Sequence, residues 1–282
     1  MRRNLVHTLM FLVAFAGAFY STKHDVKRKK IEAGNSHLAV RVWAPEDTAF
    51  VSFLTKVSDS LTVVTLFNDV RFGIDDDVVA RFAEARRARS NPAKRRAPYA
   101  WLFTDSSVAR GKQFLSQYRE FLDSVAQPFG VPSRVIAALL RTESDFGEAP
   151  GEYVVANTLY TAARLAENST QRNPELRELS ALLQIMQGGN IDLFLALRGS
   201  WRGAFGFPQF RPTSYLAYGV DGNGDDVVDL FALPDAVASA SNYLRAHGWS
   251  PRHRDQRRAL YAYNRGGYAD AVLSYAARIA TN

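Results

Sequence analysis

Gly130-Val131-Pro132-Ser133-Arg134-Val135-Ile136-Ala137-Ala138-Leu139-Leu140-Arg141-Thr142-Glu143-Ser144-Asp145-Phe146-Gly147 is the stretch on which the reading of this sequence turns. Pro132 suits the first turn of a helix, where its missing N–H costs nothing, and Gly147 suits the position just past the end. The segment is expected to be a helix from Pro132 to Phe146, about four turns long. Its apolar stripe runs through Ile136, Leu139 and Leu140, and the next member at the same spacing is Glu143, so a carboxylate continues the inward face. Burial without a cationic partner favours the neutral form of a carboxyl group and raises its pKa, which is what a proton donor needs near neutral pH. The plainer alternative is a last turn that frays outward, leaving Glu143 solvated or paired with Arg141.

The other carboxylates nearby do not form a pair with it. Asp145 lies two residues on, a spacing that points away on a helix. Glycoside-cleaving schemes with two carboxylates need the second at roughly 5 to 9.5 Å, and only a distant residue such as Asp221 could fold into that place. Other chemistries are excluded more firmly. The five histidines show no paired metal spacing, and no phosphate-cradling Gly-Lys-Ser/Thr loop occurs. Ser200, in Gly199-Ser200-Trp201-Arg202-Gly203, lacks the flanking glycines of a nucleophile elbow. No cysteine is present, so neither disulfides nor thiolate metal sites are possible.

A chain of 282 residues with 47% hydrophobic content can bury one sizeable core and carry a smaller appended region. Its 35 Lys and Arg against 28 Asp and Glu give a net charge of +7, which suits an anionic partner: nucleic acid, anionic lipid or an acidic wall polymer. Much of the excess sits in Lys27 to Lys30 and in Arg86, Arg87, Arg89, Lys94, Arg95 and Arg96, and reads as a solvated basic segment. At the N-terminus, Arg2 and Arg3 precede an apolar run from Leu5 to Tyr20 with small-x-small sites at Ala14-Phe15-Ala16 and Ala16-Gly17-Ala18. That is the anatomy of an export signal. Lys23 and Lys27 to Lys30 just downstream hinder translocation and favour an uncleaved anchor instead. Residues 1–22 are therefore read as a signal peptide or membrane anchor.

Residues 23–98 form an N-terminal region with a basic linker. Alternation in Leu38 to Trp43 and β-branched content in Leu61 to Phe67 predict short strands. Val78 to Arg89 is helical in pattern, and Ser90-Asn91-Pro92 with Lys94 to Pro98 breaks it. The main domain spans 99–282, with helices expected at Gly111–Phe129, Asn157–Ala166, Pro174–Gln187, Pro234–His247 and Tyr268–Ala280. Gly199 to Gly224, rich in glycine and aromatics, reads as loops gathered around something. The fold class is mainly α, behind a small α/β or irregular N-terminal region.

Several blocks in one order resemble a known family. They are Gly130-Val131-Pro132 leading to Thr142-Glu143-Ser144-Asp145-Phe146-Gly147; Gly199-Ser200-Trp201-Arg202-Gly203-Ala204-Phe205-Gly206-Phe207-Pro208-Gln209-Phe210; Asn242-Tyr243-Leu244 to His247-Gly248-Trp249; and Tyr263-Asn264 before Tyr268-Ala269. Over roughly residues 107 to 282 the chain resembles the lytic murein transglycosylases of the B type, which carry a lysozyme-like helical domain. The resemblance implies that Glu143 is the catalytic acid and that Ser200, Gln209, Tyr243, Tyr263 and Asn264 line a saccharide groove, although each aromatic alone fits ordinary core packing. It implies glycan strands of peptidoglycan as substrate, with no nucleic acid, no cofactor required for the chemistry, and a place in the periplasm or cell envelope, secreted or anchored to the inner membrane. It also implies that the sugar's own C6 hydroxyl replaces water, giving a 1,6-anhydro product.

A second implied feature is Asp221-Gly222-Asn223-Gly224-Asp225-Asp226-Val227-Val228-Asp229. Oxygen side chains at Asp221, Asn223 and Asp225, with the Val227 carbonyl, match the first positions of a calcium loop. Asp226 then stands where glycine is usual and Ala232 where a bidentate glutamate belongs, and Asp235 falls where relatives close a longer loop. Structural calcium is weighed there against a plain acidic turn. Two features depart from the family pattern: the short connection between Trp249 and Tyr263, where better-known members insert a subdomain, and Arg202 and Pro208 in the glycine-rich block. The rival readings are a water-using muramidase, a non-catalytic wall-binding protein of the same fold, and nucleic-acid binding through the basic stretches.

Overall fold

The computed structural model describes residues 45–89, 98–186 and 190–280. The export signal or anchor at 1–22, the strand at Leu38 to Trp43 and most of the proposed linker lie outside the described residues. Among the described residues no helix is long and apolar enough to cross a membrane.

Three- and four-residue apolar spacing produces a chain of helices: α1 Pro45–Leu54, α2 Ser60–Asn68, α3 Asp76–Arg89, α4 Asp105–Ala126, α5 Ser133–Ser144, α6 Val155–Arg164, α7 Ser169–Ile185, α8 Ile191–Ala196, α9 Pro212–Tyr218, α10 Leu233–Ala246, α11 His253–Tyr263 and α12 Tyr268–Ala280. Side-chain caps set several starts: Asp59 accepts from Thr62 N–H for α2, Thr104 from Ser107 N–H for α4, and Asn168 from Gln171 N–H for α7. Two short strands, β1 Tyr153–Val154 and β2 Arg198–Gly199, pair antiparallel with Tyr153 opposite Gly199.

The strand expected at Leu61 to Phe67 is helix α2 instead. Val63, Leu66 and Phe67 fall at helical steps and all point inward. Tertiary packing overrides the weak β preference of Val and Thr there. Four further helices have no counterpart among those expected: α1 precedes α2, the short α8 follows α7, α9 interrupts the segment read as loops, and α11 fills the short connection after Trp249.

Two hydrophobic clusters hold the molecule together. The first centres on α5, where Val135 to Leu140 are all buried, and draws in α4, α10, α11 and α12. The second joins α1 and α2 to α6, α7 and α8 through Phe50, Leu54, Leu66, Tyr160 and Leu182. Asp47 reinforces this junction by accepting from the Tyr160 hydroxyl and from Arg164 at 2.6 Å. Burial at about 25 cal/mol per Å² of apolar surface makes such contacts, and not the two-residue ribbon, the main source of stability.

A buried carboxyl group ringed by tyrosines

Glu143 lies in the last turn of α5, one residue before the helix ends. The helix stops at Ser144, two residues earlier than the sequence pattern predicts, because Asp145, Phe146 and Gly147 all adopt left-handed conformations, with φ of 53°, 59° and 88°. Left-handed backbone at two successive non-glycine residues costs of order 1–2 kcal/mol each and persists only where surroundings enforce it. Here the Phe146 N–H reaches back to the Leu140 carbonyl at 3.1 Å, and the Ser144 hydroxyl donates to the Phe207 carbonyl at 2.8 Å. Phe207 in turn fills the space beside Gly147, where an added Cβ would come within 2.1 Å of its ring.

The cations near the helix end are taken by other acids. Arg141 pairs with Asp145 at 2.6 Å, and Arg110 pairs with Asp145 and Glu148. Glu143 therefore has no cationic partner among the described residues. Part of its surface stays accessible, while its Oε1 is shut off from solvent and has no hydrogen-bond partner. Burial pushes this carboxyl up to about 7, and the Tyr268 hydroxyl facing it offsets only part of that rise. The Tyr268 hydroxyl is likewise buried and, among the described residues, makes no hydrogen bond of ordinary geometry, while burial and the Glu143 charge hold its own pKa well up.

Three tyrosines feel the Glu143 charge: Tyr99 before the first turn of the Ala100–Phe103 helix, Tyr263 at the end of α11 and Tyr268 at the start of α12. Burial, then that charge, raises the pKa of each. Tyr263 and Tyr268 stack with ring centroids 5.9 Å apart, and Tyr243 meets Tyr263 edge-on at 4.7 Å. The Tyr263 hydroxyl donates to the Pro208 carbonyl at 2.5 Å, tying α11 to the glycine-rich segment. Tyr99 and Tyr268 were not singled out in the sequence reading as site residues. Neither carries a local signal, since each meets Glu143 only through the fold.

The remaining expected site residues are placed as follows. Ser200 follows β2, and its hydroxyl oxygen accepts from Ala204 N–H at 3.1 Å. Gln209 has φ of 51° and donates through Nε2 to the Pro150 and Gly206 carbonyls, both at 2.9 Å. Ser200 thus braces its own loop and Gln209 ties the segment to the turn after α5, an approach so close that a Cβ on Gly151 would lie 2.1 Å from the Gly199 backbone. Tyr243, in α10, donates to the Ala262 carbonyl at 2.8 Å and stacks on His247 at 4.0 Å. Asn264 caps α11, is exposed, and accepts the Arg265 N–H through its side-chain oxygen. Of these residues Tyr263 reaches the Glu143 centre directly, Tyr243 packs on Tyr263, and the Phe207–Pro208 part of the glycine-rich segment is tied to Ser144 and Tyr263 beside it.

In the acidic loop, Asp221 accepts backbone N–H groups from Asn223, Gly224, Asp225 and Asp226, and Asp225 accepts Val227 N–H. Asp226 takes φ of 67°, supplying without glycine the left-handed turn the loop needs. Asp235, buried in the first turn of α10, accepts from Gly222 N–H at 2.9 Å and Asp229 N–H at 2.6 Å, closing both ends of the loop. Burial raises Asp229 and Asp235, and neighbouring carboxylates add to the rise. Among the described residues no three acidic or histidine side chains converge closely enough to hold a metal.

A lysozyme-like helical body around an acid that, among the described residues, has no cationic partner defines the class of this domain. The chain belongs to the Transglycosylase SLT domain family, whose profile matches residues 56–272. It is 35% identical over 157 residues to the membrane-bound lytic murein transglycosylase B of Escherichia coli, a match covering 53% of this chain and 42% of that relative. The matched stretch is thus less than half of the curated relative's length. The fold is that of the E. coli lytic transglycosylase SLT35, solved in complex with bulgecin A and with calcium, at a TM-score of 0.70 and 21% identity over 84% of this chain and 93% of that one. SltB3 of Pseudomonas aeruginosa, in complex with NAG-NAM-pentapeptide, matches at a TM-score of 0.60 and 29% identity, covering 72% of this chain and 53% of that one.

Proposed function

We propose that this chain is a peptidoglycan lytic transglycosylase that cleaves the bond between N-acetylmuramic acid and N-acetylglucosamine, with Glu143 as its single acid and base. The observation that carries the reading is a carboxyl group without a cationic partner, held near neutral pKa by burial. The related proteins named above, lytic transglycosylases by name, support it. Glu143 donates its proton to the glycosidic oxygen as the bond to the muramic C1 breaks. The resulting carboxylate takes the proton of the muramic C6 hydroxyl, whose oxygen bonds to C1 and closes a 1,6-anhydro ring. An attacking group on the same sugar has the benefit of proximity, so neither water nor a second carboxylate is needed. Asp145 and Glu148, both committed to Arg110, are poor candidates for that second role.

Tyr243, Tyr263 and Asn264 on one wall, and Ser200 and Gln209 on the other, line the groove in this reading. Aromatic faces, amides and hydroxyls are what sugars bind. The chain acts at the cell envelope, on glycan strands, either exported or held at the membrane by its N-terminus. In the Asp221–Asp235 loop, Asp221, Asn223, Asp225, Asp235 and the Val227 carbonyl are the oxygen donors that a hard cation such as calcium would draw together, since the carboxylates do not converge on one point in this structure. Burial, with neighbouring carboxylates adding to it, disfavours charge on Asp229 and Asp235, a cost that a cation in the loop would offset.

Digestion of purified peptidoglycan in water carrying heavy oxygen tests the reaction. Anhydro products free of the label are expected, and none from Glu143→Gln. Labelled reducing ends make the enzyme a hydrolytic muramidase, and a Glu143→Gln variant that still cleaves removes the assignment.

A further inference from the structure

Helix α7 carries a buried carboxylate, Glu178, that the cleavage chemistry does not use. It is 8% exposed and sits among Leu176, Leu179 and Leu182, buried residues of the same helix. A carboxylate persists in such a place where it is both hydrogen-bonded and paired. Glu178 is both. One of its oxygens accepts the Thr213 N–H at 2.9 Å and the other accepts the Thr213 hydroxyl at 2.8 Å. Arg211 stands 3.7 Å from the second oxygen and also pairs with Glu175, three residues earlier on α7.

The start of α9 needs this outside acceptor. Its N-cap is Arg211, whose side chain has no acceptor atom, and Pro212 follows, so the first free N–H of the helix belongs to Thr213. Glu178 satisfies it from a different helix. The clamp thereby moors one end of the segment that reaches the Glu143 centre. Phe205 and Phe210 exchange backbone hydrogen bonds at 2.9 and 3.1 Å, which closes the loop of residues 206–209 into one unit. Within that loop the Pro208 carbonyl accepts the Tyr263 hydroxyl, and Phe210 packs on the rings of Tyr243 and Tyr263 at 5.6 and 5.9 Å. Arg211 is the next residue after Phe210. A closed loop moored so near its end moves with its mooring.

We propose that Glu178 is a positioning residue for glycan cleavage: through Thr213 and Arg211 it fixes the 205–210 loop, and with it the Pro208 carbonyl, against Tyr263. This rests on the glycan-cleaving reading above. Glu178 acts only through the loop, so its influence falls on how well a bound strand is aligned with the acid. Misplacement by about 1 Å from a change remote from the reacting atoms is enough to lower turnover up to about a hundredfold.

A double-mutant cycle on sacculus cleavage tests this, with full-length wild type, Glu178→Ala, Tyr263→Phe and the double variant, and with Glu178→Gln beside them. Rates are read at a temperature where melting curves show every variant folded. Glu178→Ala should lower kcat about tenfold and change KM less than about threefold. Glu178→Gln, whose amide oxygen still accepts the Thr213 N–H, should keep kcat within about threefold of wild type. In the Tyr263→Phe background the hydrogen bond to Pro208 is already gone, and there Glu178→Ala should cost less than about twofold more. Wild-type kcat in folded Glu178→Ala, an equal loss in both backgrounds, or a glutamine variant as impaired as the alanine one overturns the inference and leaves glycan cleavage standing. Should Glu178→Ala not fold, Arg211→Gln takes its place in the cycle, and the same loss in one background and not the other decides. A wild type that leaves sacculi uncut refutes the glycan-cleaving reading itself, and this inference falls with it.

Discussion

Glu143, with one oxygen shut off from solvent, and the buried Asp235 are both carboxyls near helix ends whose pKa burial raises, and the molecule treats them in opposite ways. Asp235 sits in the first turn of α10 and accepts two backbone N–H groups, one from each end of the acidic loop. Glu143 sits in the last turn of α5, where backbone carbonyls and not N–H groups point outward, and its buried oxygen accepts nothing. A carboxylate that closes a loop is occupied by the loop. One left without backbone donors, at the negative end of a helix, keeps its proton and can give it away.

Replacing each in turn sharpens the contrast. Glu143→Gln should lower cleavage at least about a thousandfold, since it removes both proton transfers. Its effect on stability has the opposite sign and follows from linkage. A carboxyl with a raised pKa weakens the fold as pH climbs from its ordinary value of 4.5 through about 7. Glu143→Gln should therefore melt like wild type in acid and at a higher temperature in mild alkali, by on the order of 2 kcal/mol or less. A variant less stable at every pH would mean that the carboxyl is satisfied in a way the geometry hides.

Asp235→Ala should leave the chemistry of bond cleavage intact and cost about 2 kcal/mol by chemical denaturation, because two backbone donors lose their acceptor. Unchanged stability would show that the loop is held elsewhere. Tyr268→Phe should be milder. Without the hydroxyl, which draws the Glu143 carboxyl down, the alkaline limb of the activity profile should move upward by less than about one unit and turnover fall about fivefold. The smallest expected effect belongs to the acidic loop. Calcium should raise the melting temperature of wild type by a few degrees and leave Asp221→Asn/Asp225→Asn unmoved, and identical melting with calcium and with chelator removes the cation from the account.

The sequence made Glu143 legible because the signal is local: a carboxylate continuing the stripe of Ile136, Leu139 and Leu140 declares its own burial. Its isolation was not legible. That depends on Arg141 turning to Asp145, which the left-handed cap at Asp145 makes possible. Tyr99 and Tyr268 escaped for the same reason, since they reach the carboxyl from elements 44 residues before and 125 after it in the chain. The helical domain was readable from periodicity, and α2 was not, because Val63 and Val64 mimic a strand until Phe50 and Tyr160 pack against the helix. Ser200 and Gln209 entered only by resemblance, and the structure adds what no motif conveys: both brace the segment they belong to.

The claim on which the rest depends is that the Glu143 carboxyl is still largely protonated close to neutral pH. Carbon NMR of side-chain carboxyls, with Glu143→Gln to assign the resonance, measures this directly in the free enzyme. A midpoint near 7 is the predicted result. A midpoint at or below the ordinary 4.5 would contradict it.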